Sequence, residues 1–238
     1  MNKIILAACF CFAQALFAQN LSSGKLTLHD VADTAVHLKW YQTNTFKTAA
    51  VPALFIGYSL TIMKDHGLYS SYDARDYAMK NYPDFHSNAD NYLVYVPGVM
   101  MYGLDLAGVQ GRNNWKNQTV MLAVSHGLNG LLTWSLKEMT NVERPDASNN
   151  RSFPSSHTSV SFVMAEVLHQ EFKDKTIWIS VAGYSLASAV GAMRILNNKH
   201  WLSDVVAGAG FGILSVKLTY LLLPKIKKEM FRQDLRGL

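Results

Sequence analysis

Residues 194–204, RILNNKHWLSD, decide the fold: they form a polar turn between two apolar runs, Thr176–Met193 and Val205–Leu223. His200 and Asp204 are four apart, so on a helix they share a face. The carboxylate can then take one ring N–H and leave the other nitrogen free as a nucleophile. Arg194 ends the preceding helix, and Asn197-Asn198 supply the turn that returns it over His200. Two helices joined by a short charged turn are the elementary unit this stretch predicts.

Moving outward, further apolar segments lie at Thr48–Met63, Tyr92–Val109, Thr119–Leu136 and Thr158–Leu168. They are rich in Ala, Gly and Ser, which suits close helix packing. The last is the weakest, since Glu166 and His169 intrude. Between the first two, Lys64–Asn91 is polar and reads as a short helix with loops. The expected fold is all-α: a bundle of about six core helices, membrane-embedded, after an N-terminal signal peptide. Within it, Asp105 and His126 read as buried polar partners of one another or of Lys217.

Composition sets the limits. Of 238 residues, 49% are hydrophobic and 16% charged, against roughly 25% charged in average globular chains. That excludes a disordered tail. Lys3 followed by the apolar run Ile4–Ala18 reads as a secretory signal peptide, which makes residues 1–18 a leader. Both cysteines, Cys9 and Cys11, fall inside it, so the mature chain has no thiol chemistry. Residues 19–46 form a polar segment, 47–224 the helical domain and 225–238 a basic tail. The tail carries Lys225, Lys227, Lys228, Arg232 and Arg236. With no aromatic interleaving it reads as a positive-inside anchor, and no nucleic acid is expected as partner. No obligatory protein partner is inferred.

Two more clusters match the turn at 194–204. Lys137 and Arg144-Pro145 follow the third apolar segment, and Pro154-Ser155-Ser156-His157-Thr158 opens the fourth. Ser155 can cap that helix, leaving the amides of Ser156 and His157 free to face an anion. Helix parity brings all three clusters to one end of the bundle. Three cations, helix-start amides and two histidines suit a phosphate, whose transfer needs positioning and charge neutralisation. One histidine can attack phosphorus while the other protonates the leaving oxygen. This chemistry asks for no metal or other cofactor.

On these residues the sequence resembles the type-2 phosphatidic acid phosphatase and vanadium haloperoxidase superfamily. The likeness is strong over about Lys137–Leu223. The resemblance implies that His200 becomes a phosphohistidine, that Asp204 orients it and that His157 is the general acid. It also implies phosphate contacts from Lys137, Arg144, Ser155, Ser156 and Arg194. Ser156 stands where the family has glycine, and Met193 where it usually has serine. The implied activity is metal-independent hydrolysis of phosphate monoesters or pyrophosphates of envelope lipids. Undecaprenyl pyrophosphate, phosphatidylglycerol phosphate, phosphatidate and lipid A all fit the cage, so lipid phosphates and membrane lipids are the expected partners. A soluble periplasmic acid phosphatase is the alternative reading.

The basic tail sets the expected topology: with it inside, the clusters face the periplasm, and the 112–116 and 173–175 loops lie on the other side. A cleaved leader then requires an even number of crossings before Lys137, which would leave Thr48–Met63 on the surface or re-entrant.

Overall fold

A computed structural model describes residues 43–67 and 69–234, so the expected leader and most of the polar N-terminal segment lie outside the described residues. Eight helices follow in order among them: α1 (Asn44–Thr61), α2 (Ser71–Asn81), α3 (Asp90–Leu93), α4 (Val96–Leu106), α5 (Trp115–Thr140), α6 (Ser156–Phe172), α7 (Ile177–Leu196) and α8 (Leu202–Asp234). The described chain is all-α, as the apolar periodicity predicts. The segment read as Tyr92–Val109 divides into α3 and α4, with Pro97 in the first turn of α4. There its missing N–H costs nothing, because first-turn amides have no intrahelical partner. At the C-terminus, helical backbone runs through Pro224 to Asp234, so the basic segment begins as a continuation of α8.

Side chains start and stop these helices. Ser70 and Asp73 form a reciprocal capping box on α2. Asn114 caps α5 by accepting from Asn117 N at 3.0 Å, and α5 ends on Asn141 in the left-handed region at φ 48°. The end of α7 has the greatest consequence for the site. Lys199 N donates to Arg194 O at 3.0 Å and Asn198 N to Ile195 O at 2.9 Å. Asn198 is left-handed at φ 55°. This is a Schellman closure, with asparagine in the position glycine usually takes.

The helix judged weakest from sequence is the central one. α6 packs against α4, α5, α7 and α8, with Val163, Val167, Leu168 and Phe172 fully buried. Close approach is possible because α8 presents Gly208 and Gly212 to it. A Cβ on Gly208 would fall 2.7 Å from Ser155 O, and one on Gly212 would overlap Ser159 O. Glycines four apart on one face let two backbones meet. Glu166 is tolerated inside because it is partnered: Gln170 Nε2 donates at 2.7 Å, Tyr184 OH donates and Lys217 Nζ lies 3.8 Å away. The expected pairing of Lys217 with Asp105 or His126 is therefore incorrect. Asp105 Oδ1 instead accepts from Gly111 N at 3.2 Å, while His126 Nε2 is buried with no partner.

Polarity in the bundle is inverted relative to a water-soluble one. On α5, Gln118, Ser125, Asn129 and Thr133 face inward, while Val120, Val124, Leu131 and Trp134 are exposed. Inside, Asn129 Nδ2 donates to Ser159 Oγ at 3.1 Å, tying α5 to α6. Exposed Trp115 and Trp134 lie 19 positions apart on α5, a rise of about 28 Å at 1.5 Å per residue. That matches a hydrocarbon core of about 30 Å, and tryptophans favour its two boundaries. Among the described residues, Ile177–Leu196 and Leu202–Pro224 are the two helical stretches long and apolar enough to cross a membrane by length and composition. Loop parity agrees with the sequence: Arg112 N donates to Glu171 O at 2.9 Å, so the 111–114 loop lies by the end of α6 remote from Ser155.

The glycine seam yields a stability prediction. Gly212→Ala should destabilise the detergent-solubilised protein by about 1–3 kcal/mol through overpacking against α6. Gly127→Ala, where a Cβ meets nothing within 4 Å, should be neutral or slightly stabilising. Thermal unfolding followed by circular dichroism checks the pair; equal melting temperatures for Gly212→Ala and wild type would refute the seam's importance.

Candidate active site

Four pieces of chain meet at one end of the bundle: the α7–α8 turn, the start of α6, the loop after α5, and α3. The Schellman turn places His200 directly against the end of α7, since its amide also points to Arg194 O at 3.3 Å. His200 is 2% exposed and Asp204 is fully buried. His200 Nδ1 lies 3.3 Å from Asp204 Oδ2, so the spacing-based pairing is present. Its framework differs from the expectation of a shared helix face. α8 begins only at Leu202, so His200 stands in the turn before it. Asp204, the third residue of α8, reaches back to accept from Trp201 N at 2.9 Å, which is half of a capping box.

One carboxylate oxygen thus gathers the turn. Asp204 Oδ2 also accepts from Ser152 Oγ at 2.5 Å, and Ser152 Oγ lies 3.4 Å from His200 Nδ1. Burial drives the His200 pKa down to about 4, and the charges of Lys137 and Arg144 push the same way against Asp204. The imidazole is therefore neutral at pH 7. With Nδ1–H turned to the carboxylate, Nε2 carries the available lone pair.

Ser155 caps α6, accepting from Thr158 N at 3.5 Å and Thr158 Oγ1 at 3.0 Å. Its own amide donates to Asp204 O at 3.0 Å, so that donor is already engaged. Ser156 is the first residue of α6 and is not among the positive-φ residues. The serine in the family's glycine position thus fits without strain, and first-turn amides have no acceptor within the helix. His157 is half-buried, with Nε2 donating to Asn91 Oδ1 at 2.9 Å. Burial lowers its pKa below the ordinary 6.5, helped by Arg194, Arg144 and Lys137 and opposed by Asp90.

The three cations are differently engaged. Lys137 Nζ donates to the carbonyls of Arg151, Ser152 and Pro154 at 2.8, 3.2 and 2.6 Å. All three of its protons therefore clamp the loop into α6, rather than pointing at an open anion site as the resemblance implies. Burial, with Arg144 and Arg194 nearby, lowers its pKa to about 8. Arg194 Nη1 donates to Asp90 Oδ2 at 2.6 Å, and both side chains are at least nine-tenths buried. The Nε atoms of Arg144 and Arg194 are buried with no partner. Unpaired buried guanidinium N–H groups are costly, and an anion between them would satisfy both. Lys199 is spent on Asp146 at 2.6 Å.

The geometry thus gathers His200, Asp204, His157, Lys137, Arg144, Ser155, Ser156 and Arg194 at one end of the bundle. Sequence reasoning missed Ser152, Asp90 and Asn91. Ser152 stands two residues before Pro154 and offered a proximity signal. Asp90-Asn91 carried none, lying in a polar stretch without recognisable spacing.

With this geometry in view, residues 118–228 match the model of the PAP2 superfamily. A lipid A 1-phosphatase of Porphyromonas gingivalis is 38% identical over 137 residues, 57% of this chain and 31% of that protein. The bacitracin transport permease protein BcrC of Bacillus licheniformis is 38% identical over 77 residues, 32% of this chain and 36% of the relative. The chain therefore spans only about a third of the length of these curated relatives. A crystal structure of a transmembrane PAP2 type phosphatidylglycerolphosphate phosphatase from Bacillus subtilis shares the fold. Its TM-score is 0.53 at 18% identity, covering 76% of this chain and 98% of that one.

The Asp90–Arg194 pair makes a stability prediction. Asp90→Ala leaves a buried guanidinium unpaired, a change that costs about 3–5 kcal/mol. Chemical denaturation in detergent checks this; an unchanged midpoint would show that the pair contributes nothing.

Proposed function

We propose that this protein is a membrane phosphatase that hydrolyses phosphate monoesters or pyrophosphates of envelope lipids through a phosphohistidine on His200. The observation that carries the reading is a buried neutral imidazole, held by Asp204, beside two arginines whose buried Nε atoms lack partners. The superfamily match and the lipid A 1-phosphatase relative support it.

In this mechanism a phosphate binds between Arg144 and Arg194 and against the amides of Ser156 and His157. Lys137 adds positive charge and fixes the loop that presents those amides. His200 Nε2 attacks phosphorus as the P–O bond to the leaving group breaks, and Asp204 stabilises the imidazolium that forms. Protonated His157 gives its proton to the leaving oxygen. It then takes one back from the water that cleaves the N–P bond, releasing inorganic phosphate and restoring both histidines. Neutralising charge on the three equatorial oxygens is the largest task, and fixed guanidinium and amide donors suit it.

The inverted polarity of the bundle supports a lipid substrate over a soluble one: with the exposed apolar faces in lipid, the site lies at the bilayer boundary. The reading puts the protein in a bacterial envelope membrane, with its site at the periplasmic face. The phosphate-bearing head group then reaches the cage while its acyl chains remain in lipid.

Two outcomes test the proposal. Phosphate release from lipid A, phosphatidate, phosphatidylglycerol phosphate or undecaprenyl pyrophosphate should proceed in excess chelator and fall by at least about 10³-fold in His200→Ala. Turnover retained in that variant would overturn the assignment. The pH dependence of kcat/KM should rise through a limb near 4, where His200 loses its proton. It should fall through a limb below 6.5, where His157 does, and decline again near 8 as Lys137 discharges. A maximum above pH 8 would contradict these roles.

A further inference from the structure

The residue contacting His157 comes from outside the superfamily segment. α3 is one turn long, yet it supplies neighbouring side chains to two site groups on different helices. Asp90 is 1% exposed and bonds Arg194 Nη1 at 2.6 Å. Asn91, next to it at the exposed rim, accepts from His157 Nε2 at 2.9 Å. The segment before α3 is also fastened to the α7–α8 turn: Ser87 N donates to Asn197 Oδ1 at 3.0 Å and Asn197 Nδ2 to Ser87 O at 2.8 Å. Two ties to the end of α7, at Ser87 and Asp90, thus sit just ahead of Asn91 and hold α3 where Asn91 reaches His157.

We propose that Asn91 is a positioning residue for His157, fixing its ring through Nε2–H so that Nδ1 is the nitrogen that exchanges the proton with substrate. The inference rests on the reading of His157 as general acid. The physical argument concerns tautomer and orientation. A neutral imidazole has one N–H, and a carbonyl oxygen accepts but cannot donate, so Asn91 Oδ1 holds the proton on Nε2. Nδ1 is left as the site that gains and loses the catalytic proton. Asn91 carries no charge, so it orients the ring without trapping it as imidazolium. The charged groups facing His157 are Arg194 on α7, Asp90 on α3, Arg144 in the loop after α5 and Lys137 on α5. None of them belongs to Asn91, so exchanging its side chain alters the ring's environment at one point.

The test compares wild type, Asn91→Ala and Asn91→Asp in detergent, using a long-chain alkyl phosphate and p-nitrophenyl phosphate. The alkoxide leaving group needs a proton and the nitrophenolate does not. Asn91→Ala should lower kcat on the alkyl ester about five- to tenfold, the value of one lost hydrogen bond, while p-nitrophenyl phosphate turnover stays within about twofold. Asn91→Asp is nearly isosteric and puts a carboxylate against the ring. It should move the His157 limb of the pH profile, the one below 6.5, up by about one unit. Equal losses on both substrates with an unmoved limb would show a merely structural role and overturn the inference. So would variants indistinguishable from wild type. If wild type shows no His200-dependent turnover of either substrate, the functional reading and this inference fail together. His200-dependent turnover that is insensitive to Asn91 overturns the inference alone.

Discussion

Asp204 is the residue on which the site depends. Its Oδ2 holds the His200 ring, the Ser152 hydroxyl and the Trp201 amide, and its backbone carbonyl accepts from Ser155 N. One fully buried residue therefore joins the turn that carries His200, the loop into α6 and the first turn of α8. Each of those contacts places another group: Ser155 starts α6 and so sets Ser156 and His157, while the Schellman closure before His200 sets Arg194. The remaining carboxylate oxygen, Oδ1, is buried without a partner. A charge so deep is tolerable only beside compensating cations, and Lys137 and Arg144 lie close enough to supply that field.

Much of this was legible in the sequence because it is local. The spacing of His200 and Asp204 anticipates their contact, and Pro154-Ser155 marks the start of α6. Helix parity alone brings the three clusters to one end. What escaped was either conformational or non-local. His200 is not helical, because Asp204's side chain caps α8 after it. Lys137 turns its ammonium to loop carbonyls, which spacing cannot reveal. Asp90 and Asn91 meet Arg194 and His157 across more than 60 positions of chain, and no local period records such a meeting. α6 was undervalued for a related reason: Glu166 lowers its apparent apolarity, yet Gln170, Tyr184 and Lys217 partner it inside.

The low charge content finds its explanation in the bundle's inverted polarity. Asn129 of α5 bonds Ser159 of α6 inside, where a lipid environment offers no alternative partner. Outside, aliphatic and aromatic residues lie between two tryptophans spaced to the thickness of a bilayer core. This arrangement makes α5 less apolar than the stretches Ile177–Leu196 and Leu202–Pro224 while leaving its outer face compatible with lipid. It also leaves the cations Lys137, Arg144 and Arg194 concentrated at one end of the bundle.

The central claim is that His200 Nε2 becomes covalently bound to phosphorus. Rapid acid-free quenching during turnover of a ³²P-labelled lipid phosphate, followed by peptide mapping, tests it most directly. The account predicts an acid-labile, alkali-stable label on the peptide containing His200, absent from His200→Ala and accumulating in His157→Ala with an activated leaving group. Steady turnover with no phosphoenzyme at any quench time, or label on another residue, would contradict it.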